Sequence, residues 1–316
     1  MKITVLDADT LGSDLDLSPL AALGELAVHT ATPPDLVAAR LADTDVAVVN
    51  KIKIGETVLA GNTRLKLVCV TATGYDNVDL AACRARGIGV CNVVGYSTDS
   101  VAQLTLAMAL SLVTNLSDFR AHVASGAYTA GGVANCVVPA FHELRGKVWG
   151  IAGYGHIGQR VGELAKAFGC RVIALARTPR NNVETVGLEA LCRTADILSV
   201  HLPLTAQTRG LFGAREIGWM KPDAIFLNVA RGAITDEAAL AEALAKGRLG
   251  GLGVDVYSTE PFSREHPFFA MRNHPRACFT PHMAWAAIEA RERCIAEIAE
   301  NIRAWRVGGV RCRVDL

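Results

Sequence analysis

The chain has almost no net charge: 32 lysines and arginines stand against 31 aspartates and glutamates, leaving +1 at pH 7. That balance offers no electrostatic grip on nucleic acid or an anionic membrane surface, and neither is expected as a partner. No apolar run reaches the length of a membrane span. Met1-Lys-Ile-Thr-Val-Leu-Asp enters a strand pattern directly, so no signal peptide is expected. The nine cysteines stand singly, without a C-x-x-C pair. The ligand spacing of a structural zinc site is therefore missing, and no metal is expected. Thiols set in apolar runs, such as Cys69, Cys170 and Cys278, read as small hydrophobes in a reducing, cytoplasmic setting. Repeats of solenoid period and low-complexity tracts are missing too.

What is present is α/β alternation over 316 residues, with 51% hydrophobic and 20% charged content, enough for two ordinary domains. The most informative stretch runs from Lys147 to Arg177. Val148 to Ala152 is an apolar run with strand character, followed by G-Y-G-H-I-G over 153–158. A helical pattern then carries Ile157, Val161, Leu164, Ala165 and Phe168 and stops at Gly169, before a second apolar run at Val172 to Ala176. Strand, glycine turn, helix and strand in this order form the unit that binds a dinucleotide. Gly153 lets the chain turn sharply, Gly155 lets backbone approach a pyrophosphate, and Gly158 lets the helix pack closely. The free N–H groups and positive dipole of the helix N-terminus then face the phosphates.

Residues 1 to about 96 alternate in the same way. Strands are expected at Ile3–Leu6, Leu26–His29, Val46–Val49, Leu67–Val70 and Ile88–Cys91, with helices around Pro34–Leu41, Glu56–Ala60 and Leu80–Arg86. This predicts a small doubly wound parallel domain of its own. Ligands of such sheets meet the loops at the carboxyl ends of strands. There, Thr73, Gly74 and Tyr75 offer backbone N–H groups to a carboxylate and Lys51 offers positive charge; an ordinary turn and a solvated lysine are the alternatives. A long apolar helix is predicted from Val101 to about Val123, then a loop over Gly126–Val138. Later strands at Ile197–Leu202, Ala224–Val229, Gly250–Val256 and Ala277–Thr280 lead into a final helical pattern from Trp285 to about Val307.

Arg231, Glu260 and His282 all fall just past strand ends, on the sheet edge that holds the glycine turn. Singly they read as a surface arginine, a solvated glutamate and a capping histidine. Jointly they suit a reaction in which a hydride moves and a proton must be supplied. His282 fits the general acid, Glu260 the carboxylate that orients it, and Arg231 the group that holds an acidic substrate. The set points to a 2-oxo acid and 2-hydroxy acid pair.

Along essentially its full length the chain resembles the D-isomer-specific 2-hydroxyacid dehydrogenases. The segments that carry the resemblance are A-T-G-Y-D-N-V-D (72–79), G-Y-S-T-D-S-V-A-Q (95–103), F-H-E-L-R-G-K-V-W-G-I-A-G-Y-G-H-I-G (141–158) and H-L-P-L-T-A-Q-T-R-G-L (201–211). M-K-P-D-A-I-F-L-N-V-A-R-G (220–232), G-V-D-V-Y-S-T-E-P (253–261) and T-P-H-M-A-W (280–285) complete them. The resemblance implies an α/β architecture. A Rossmann-type doubly wound cofactor domain (97–287) would be joined to a smaller flavodoxin-like α/β substrate domain built from 1–96 and 288–316, with the active site in the cleft. It implies an Arg231–Glu260–His282 catalytic set and substrate contacts at Lys51, Thr73, Gly74, Tyr75 and Arg231. Cofactor contacts are implied at Gly153, Gly155, His156, Ile157, Gly158, Pro203, Thr208, Val229, Ala230 and Asp255. It also implies a homodimer formed through the cofactor domains.

Asn50-Lys51 and the 95–102 segment look most like glycerate dehydrogenases, also called hydroxypyruvate reductases. The expected activity is reduction of hydroxypyruvate or glyoxylate to the D-2-hydroxy acid, and the reverse oxidation. A bulkier 2-oxo acid such as phenylpyruvate, or a dinucleotide-sensing binding protein, are the alternatives. Two positions depart from the family; Gln103, where Glu is common, carries no functional conclusion. The second strand of the dinucleotide unit usually ends in Asp or Glu for the NAD ribose, and here it ends in Ala176. Arg177, Thr178 and Arg180 follow and suit a 2′-phosphate, so NADP(H) is expected to be preferred, with NAD(H) as the alternative.

Overall fold

The computed structural model describes residues 1–178 and 180–316. The chain divides into two compact units, Met1–Ser97 with Trp285–Leu316, and Thr98–Ala284.

In the first unit, strands β1 (Lys2–Val5), β2 (Glu25–Val28), β3 (Val46–Val49), β4 (Leu67–Val70) and β5 (Gly89–Cys91) alternate with short helices. These are α1 (Ser18–Ala21), α2 (Val37–Leu41), α3 (Glu56–Leu59) and α4 (Leu80–Ala85). The strands pair in parallel in the order β2-β1-β3-β4-β5. β3 reads Val-Ala-Val-Val and β4 Leu-Val-Cys-Val, and every residue of both is buried. Continuous apolar strands of this kind are what a sheet covered on both faces requires. The order reverses between β1 and β3, which makes the loops after those strands the natural ligand edge. Asp7 lies there, buried, and its carboxylate accepts the N–H groups of Asn50, Lys51 and Ile52 at 3.0, 2.6 and 3.3 Å. Burial pushes its carboxyl pKa up, and these three donors oppose that shift.

The second unit begins with α5 (Thr98–Val113), α6 (Leu116–Ala124) and α7 (Ala127–Gly131). The dinucleotide-type unit follows as β6 (Val148–Ala152), α8 (His156–Ala167) and β7 (Arg171–Leu175). Then come β8 (Glu184–Thr185), α9 (Leu188–Thr194), β9 (Ile197–Val200), α10 (Ala214–Gly218), β10 (Ile225–Asn228), α11 (Glu237–Ala245), β11 (Gly251–Val254), α12 (Pro267–Met271) and β12 (Ala277–Phe279). All seven strands are parallel, in the order β12-β11-β10-β9-β6-β7-β8. Counted from β6, this is the doubly wound order with one strand added, and its switch point lies between β6 and β9. The glycine turn after β6 opens there.

The chain then returns to the first unit with α13 (Ile288–Arg306). Ala290, Cys294, Ile295, Ile298, Ala299 and Ile302 form a stripe at helical spacing, buried with Ile3, Val5, Val46 and Leu67 of that unit. Buried Asn301 donates to the Asn92 carbonyl at 2.9 Å, and Arg291 holds Asp14 through two nitrogens at 2.6 and 2.8 Å.

Three expectations change. The helix predicted from Val101 to about Val123 is two helices, bent by 65° at the break. Asn115 takes a left-handed conformation there (φ 52°) and donates its amide to the Ala140 carbonyl at 2.8 Å. Apolar periodicity runs through the break because the partner that stabilises it lies 25 residues away. Inside the stretch expected to be a loop, Ala127–Gly131 forms a short helix. The final helix starts at Ile288, after Trp285 has packed edge-on against Tyr96 with ring centres 6.4 Å apart. Among the described residues no single helix is long and apolar enough to cross a membrane.

Candidate active site

The glycine turn has the geometry its spacing implies. Gly153 sits at φ +97°, a value that L side chains rarely adopt. A Cβ on Gly158 would stand 2.1 Å from the Gly153 carbonyl oxygen, so helix and turn meet only because Gly158 lacks a side chain. A Cβ on Gly155 would meet nothing within 4 Å, and no side chain caps α8. The start of this 12-residue helix, with His156 and Ile157 in its first turn, therefore faces open space that suits a pyrophosphate. At the end of β7, Ala176 brings no carboxylate, and Arg177, Thr178 and Arg180 are exposed. Arg171, on the same strand, pairs with Glu184 at 2.6 Å. Among the described residues no carboxylate pairs with Arg177 or Arg180. The donor set and the space both fit a dinucleotide.

After β9, Trp149 Nε1 donates to Ser199 Oγ at 2.9 Å, and that oxygen lies 3.0 Å from His201 Nε2. The Nδ1 of His201 is sealed from solvent and has no partner among the described residues. Burial pushes the imidazole pKa down to about 3, so the ring is neutral at physiological pH. Pro203 and Thr208 close the next loop, with the threonine hydroxyl donating to the Pro203 carbonyl at 2.6 Å.

Arg231 follows β10 and is set by Asn228, a fully buried residue. Asn228 accepts the Ala230 N–H and donates to the Arg231 carbonyl, both at 3.0 Å, which closes the turn through Val229 and Ala230. Arg231 in turn donates from a guanidinium nitrogen to the Ala230 carbonyl at 2.8 Å.

His282 is set by Asp255. The Asp255 carboxylate is buried and accepts the Thr280 hydroxyl at 2.5 Å and the N–H groups of Met283 and Ala284, each at 2.9 Å. The Asp255 carbonyl accepts the His282 N–H at 2.8 Å. Burial raises the Asp255 pKa, and these donors pull against it. The turn so formed holds His282 in the left-handed region (φ 54°). Its Nδ1 meets Glu260 Oε2 at 2.6 Å. The other Glu260 oxygen accepts the Tyr257 N–H at 2.9 Å, while the Tyr257 hydroxyl donates to the Thr280 carbonyl at 2.9 Å. Tyr257 thus ties the glutamate to the turn that carries the histidine. The carboxylate thus engages Nδ1, the arrangement an imidazole needs to exchange protons through Nε2.

In the first unit, the loops after β3 and β4 are joined. Asn77 donates to the carbonyls of Asn50 and Ile52 at 3.3 and 2.8 Å, flanking Lys51. The Thr73 hydroxyl donates to the Val93 carbonyl and the Thr73 carbonyl accepts the Asn92 amide, at 2.9 and 2.8 Å, which fixes the base of the loop with Gly74 and Tyr75. Lys51, Thr73 and Tyr75 are exposed on this edge.

Asn228, Tyr257 and Asp7 carry these turns, yet sequence reading passed over all three. A buried-type strand ending in Asn or Asp is the only available signal for Asn228, and Asp255, expected as a cofactor contact, also anchors the His282 turn.

A doubly wound dinucleotide sheet with an arginine and a carboxylate–imidazole pair on its carboxyl edge defines a nicotinamide-dependent oxidoreductase. Residues 106–284 match the family model described as D-isomer specific 2-hydroxyacid dehydrogenase, NAD binding domain. A hydroxypyruvate reductase of Blautia hydrogenotrophica is 33% identical over 317 aligned residues, covering 98% of each chain. An acyclic imino acid reductase solved with NADPH and D-Arg superposes with a TM-score of 0.88 at 28% identity, over 99% of this chain and 100% of that one. An NADPH-dependent glyoxylate/hydroxypyruvate reductase of Sinorhizobium meliloti, solved with NADP and malonate, gives 0.85 at 27% identity over 99% and 96%. The chain belongs to the D-isomer-specific 2-hydroxyacid dehydrogenase family, oxidoreductases acting on a CH–OH group with a nicotinamide dinucleotide.

Proposed function

We propose that this protein is an NADP(H)-preferring reductase of hydroxypyruvate or glyoxylate, forming the D-2-hydroxy acid and running the oxidation in reverse. The observation that carries the chemistry is the 2.6 Å contact between His282 Nδ1 and Glu260 Oε2. The bound nicotinamide supplies or accepts the hydride. The Glu260 carboxylate orients the imidazole so that Nε2 delivers a proton to the substrate oxygen during reduction and receives it during oxidation. Arg231 pairs with the 2-oxo acid and polarises its carbonyl. Lys51 and the Thr73-Gly74-Tyr75 loop are the proposed partners of the substrate carboxylate. Gly153, Gly155, His156, Ile157 and Gly158 would hold the pyrophosphate, with further cofactor contacts from Pro203, Thr208, Val229, Ala230 and Asp255. Arg177, Thr178 and Arg180 would hold a 2′-phosphate, which the alanine at 176 does not repel.

The relatives named hydroxypyruvate and glyoxylate/hydroxypyruvate reductases support the small-substrate choice. Nine free cysteines, six of them buried, suit a reducing cytoplasm. The arm around α6 and α7 exposes Leu116, Val123, Val133, Val137, Val138 and Phe141, each at 53–75%. Apolar surface on that scale supports a homodimer formed through this unit.

The test is a nicotinamide absorbance assay on the purified chain with hydroxypyruvate, glyoxylate and phenylpyruvate, each with NADPH and NADH. Turnover of the two small acids fastest with NADPH is the expected result. Faster turnover of phenylpyruvate would reassign the substrate, and dinucleotide binding with no turnover would leave a sensing protein.

A further inference from the structure

Beside the Glu260–His282 pair lies a second carboxylate–imidazole pair that faces the protein interior. Glu237 is the first residue of α11 and 8% exposed. One of its oxygens accepts the Ser258 N–H at 2.9 Å. The other takes the Ser258 hydroxyl and lies 3.0 Å from His266 Nε2. The Phe268 N–H points at His266 Nδ1, 3.2 Å away, so Nδ1 is the acceptor and Nε2 carries the proton that goes to Glu237. The His266 ring is packed among Tyr257, Phe262 and Phe268, with centroids at 6.1, 5.0 and 5.3 Å. Three donors therefore converge on one buried carboxylate, an acceptor that no neutral side chain replaces in full.

The peptide held in this way is the one next to Tyr257. A Cβ on Gly232, the residue after Arg231, would stand 2.0 Å from the Tyr257 carbonyl carbon and 2.2 Å from Ser258 N. Glu237 thus fixes the Tyr257–Ser258 peptide flat against the turn that presents Arg231. The Tyr257 N–H, one bond further on, holds Glu260 Oε1, and the other Glu260 oxygen holds His282. The interior pair is connected to the exposed pair through two successive peptides that meet at the Tyr257 Cα, each pinned by a carboxylate.

We propose that Glu237, held by His266, is a positioning residue for hydride-coupled proton transfer. It sets the Tyr257 N–H, and through it the orientation of the Glu260 carboxylate and of the His282 ring. This rests on the assignment of Glu260 and His282 as the catalytic pair. Glu237 touches neither substrate nor reacting atoms, so its contribution lies in kcat and not in binding.

The experiment is a double-mutant cycle on the full chain, with kcat and KM for hydroxypyruvate measured with NADPH and cofactor affinity measured by nicotinamide fluorescence. E237Q is expected to lower kcat about tenfold or more while both binding constants stay within about twofold, and to cost nothing further in kcat when added to E260Q. An equal loss in both backgrounds overturns the proposal, as does a fall in thermal stability with kcat unchanged. If E237Q does not fold, His266 replaces it in the cycle. H266L is expected to lower kcat, and H266Q, which returns an N–H donor near the Nε2 position, to recover most of the loss; no difference between the two overturns the proposal. E260Q alone separates the two levels: an unaffected kcat there refutes the catalytic pair itself, whereas an impaired E260Q with an unimpaired E237Q refutes only the positioning role.

Discussion

His282 presents its imidazole from a left-handed backbone conformation, φ 54°, and its Nδ1 meets Glu260 Oε2 at 2.6 Å. The strain of that conformation is offset by the Asp255 turn, which accepts the histidine's own N–H and the N–H groups of the two residues after it. Asparagine tolerates this region better than other residues do. His282→Asn is therefore the informative substitution: it keeps the turn and removes the proton donor. It is expected to reduce kcat by about 10²–10⁴-fold while cofactor affinity stays unchanged. A kcat near that of the parent enzyme would remove His282 from the chemistry.

Cofactor choice is tested at the end of β7. Ala176→Asp should favour NADH by placing a carboxylate beside the site proposed for the 2′-phosphate. Replacing both Arg177 and Arg180 by glutamine should raise KM for NADPH by about tenfold or more and leave KM for NADH alone, since charge-assisted hydrogen bonds contribute ~1.5–3 kcal/mol each. An unchanged ratio of efficiencies in both variants would mean that the two arginines are ordinary surface charges.

The exposed arm makes a prediction about mass. Light scattering should return twice the 33.5 kDa of one chain. Val137 and Val138 are 72% and 75% exposed. Changing both to aspartate should give a monomer, because two unpaired carboxylates would have to be desolvated in the interface. A parent protein that already elutes as a single chain would end the dimer proposal.

His201 makes a prediction about pH. Its folded pKa of about 3 lies below the 6.5 of a free imidazole, and burial is the cause. The unfolded chain binds a proton at this ring below about 6.5 and the folded chain does not. The ring's contribution to stability is therefore complete above about pH 6.5 and is lost progressively as pH falls toward 3, at up to ~1.4 kcal/mol per pH unit. Urea unfolding between pH 7 and 4 should show this slope, and His201→Gln should flatten it by one proton. Parallel slopes for the two proteins would show that His201 titrates alike in both states.

Much of the site was legible because its requirements are local. A phosphate needs glycines at fixed spacing between a strand and a helix, and the 153–158 turn carries them within six residues. A parallel sheet puts the carboxyl ends of its strands on one edge, so Arg231, Glu260 and His282 were grouped from strand endings alone. The supports of those residues were not legible. Asp255 reaches Ala284 across 29 positions, Glu237 reaches His266 across 29, and Asp7 reaches Lys51 across 44. The bend at Asn115 depends in the same way on Ala140.

The sequence by itself determined which strands are buried, where the dinucleotide turn falls and which charged groups end the strands, because these follow from side-chain periodicity and local backbone freedom. Only the tertiary structure decided which carboxylate holds which turn. A buried carboxylate must be satisfied by whatever N–H and O–H groups the packed strands bring to it, and those donors are set by strand order and register. That is why Asp255 came to shape the turn beneath His282, and Glu237 to face inward toward Ser258 and His266.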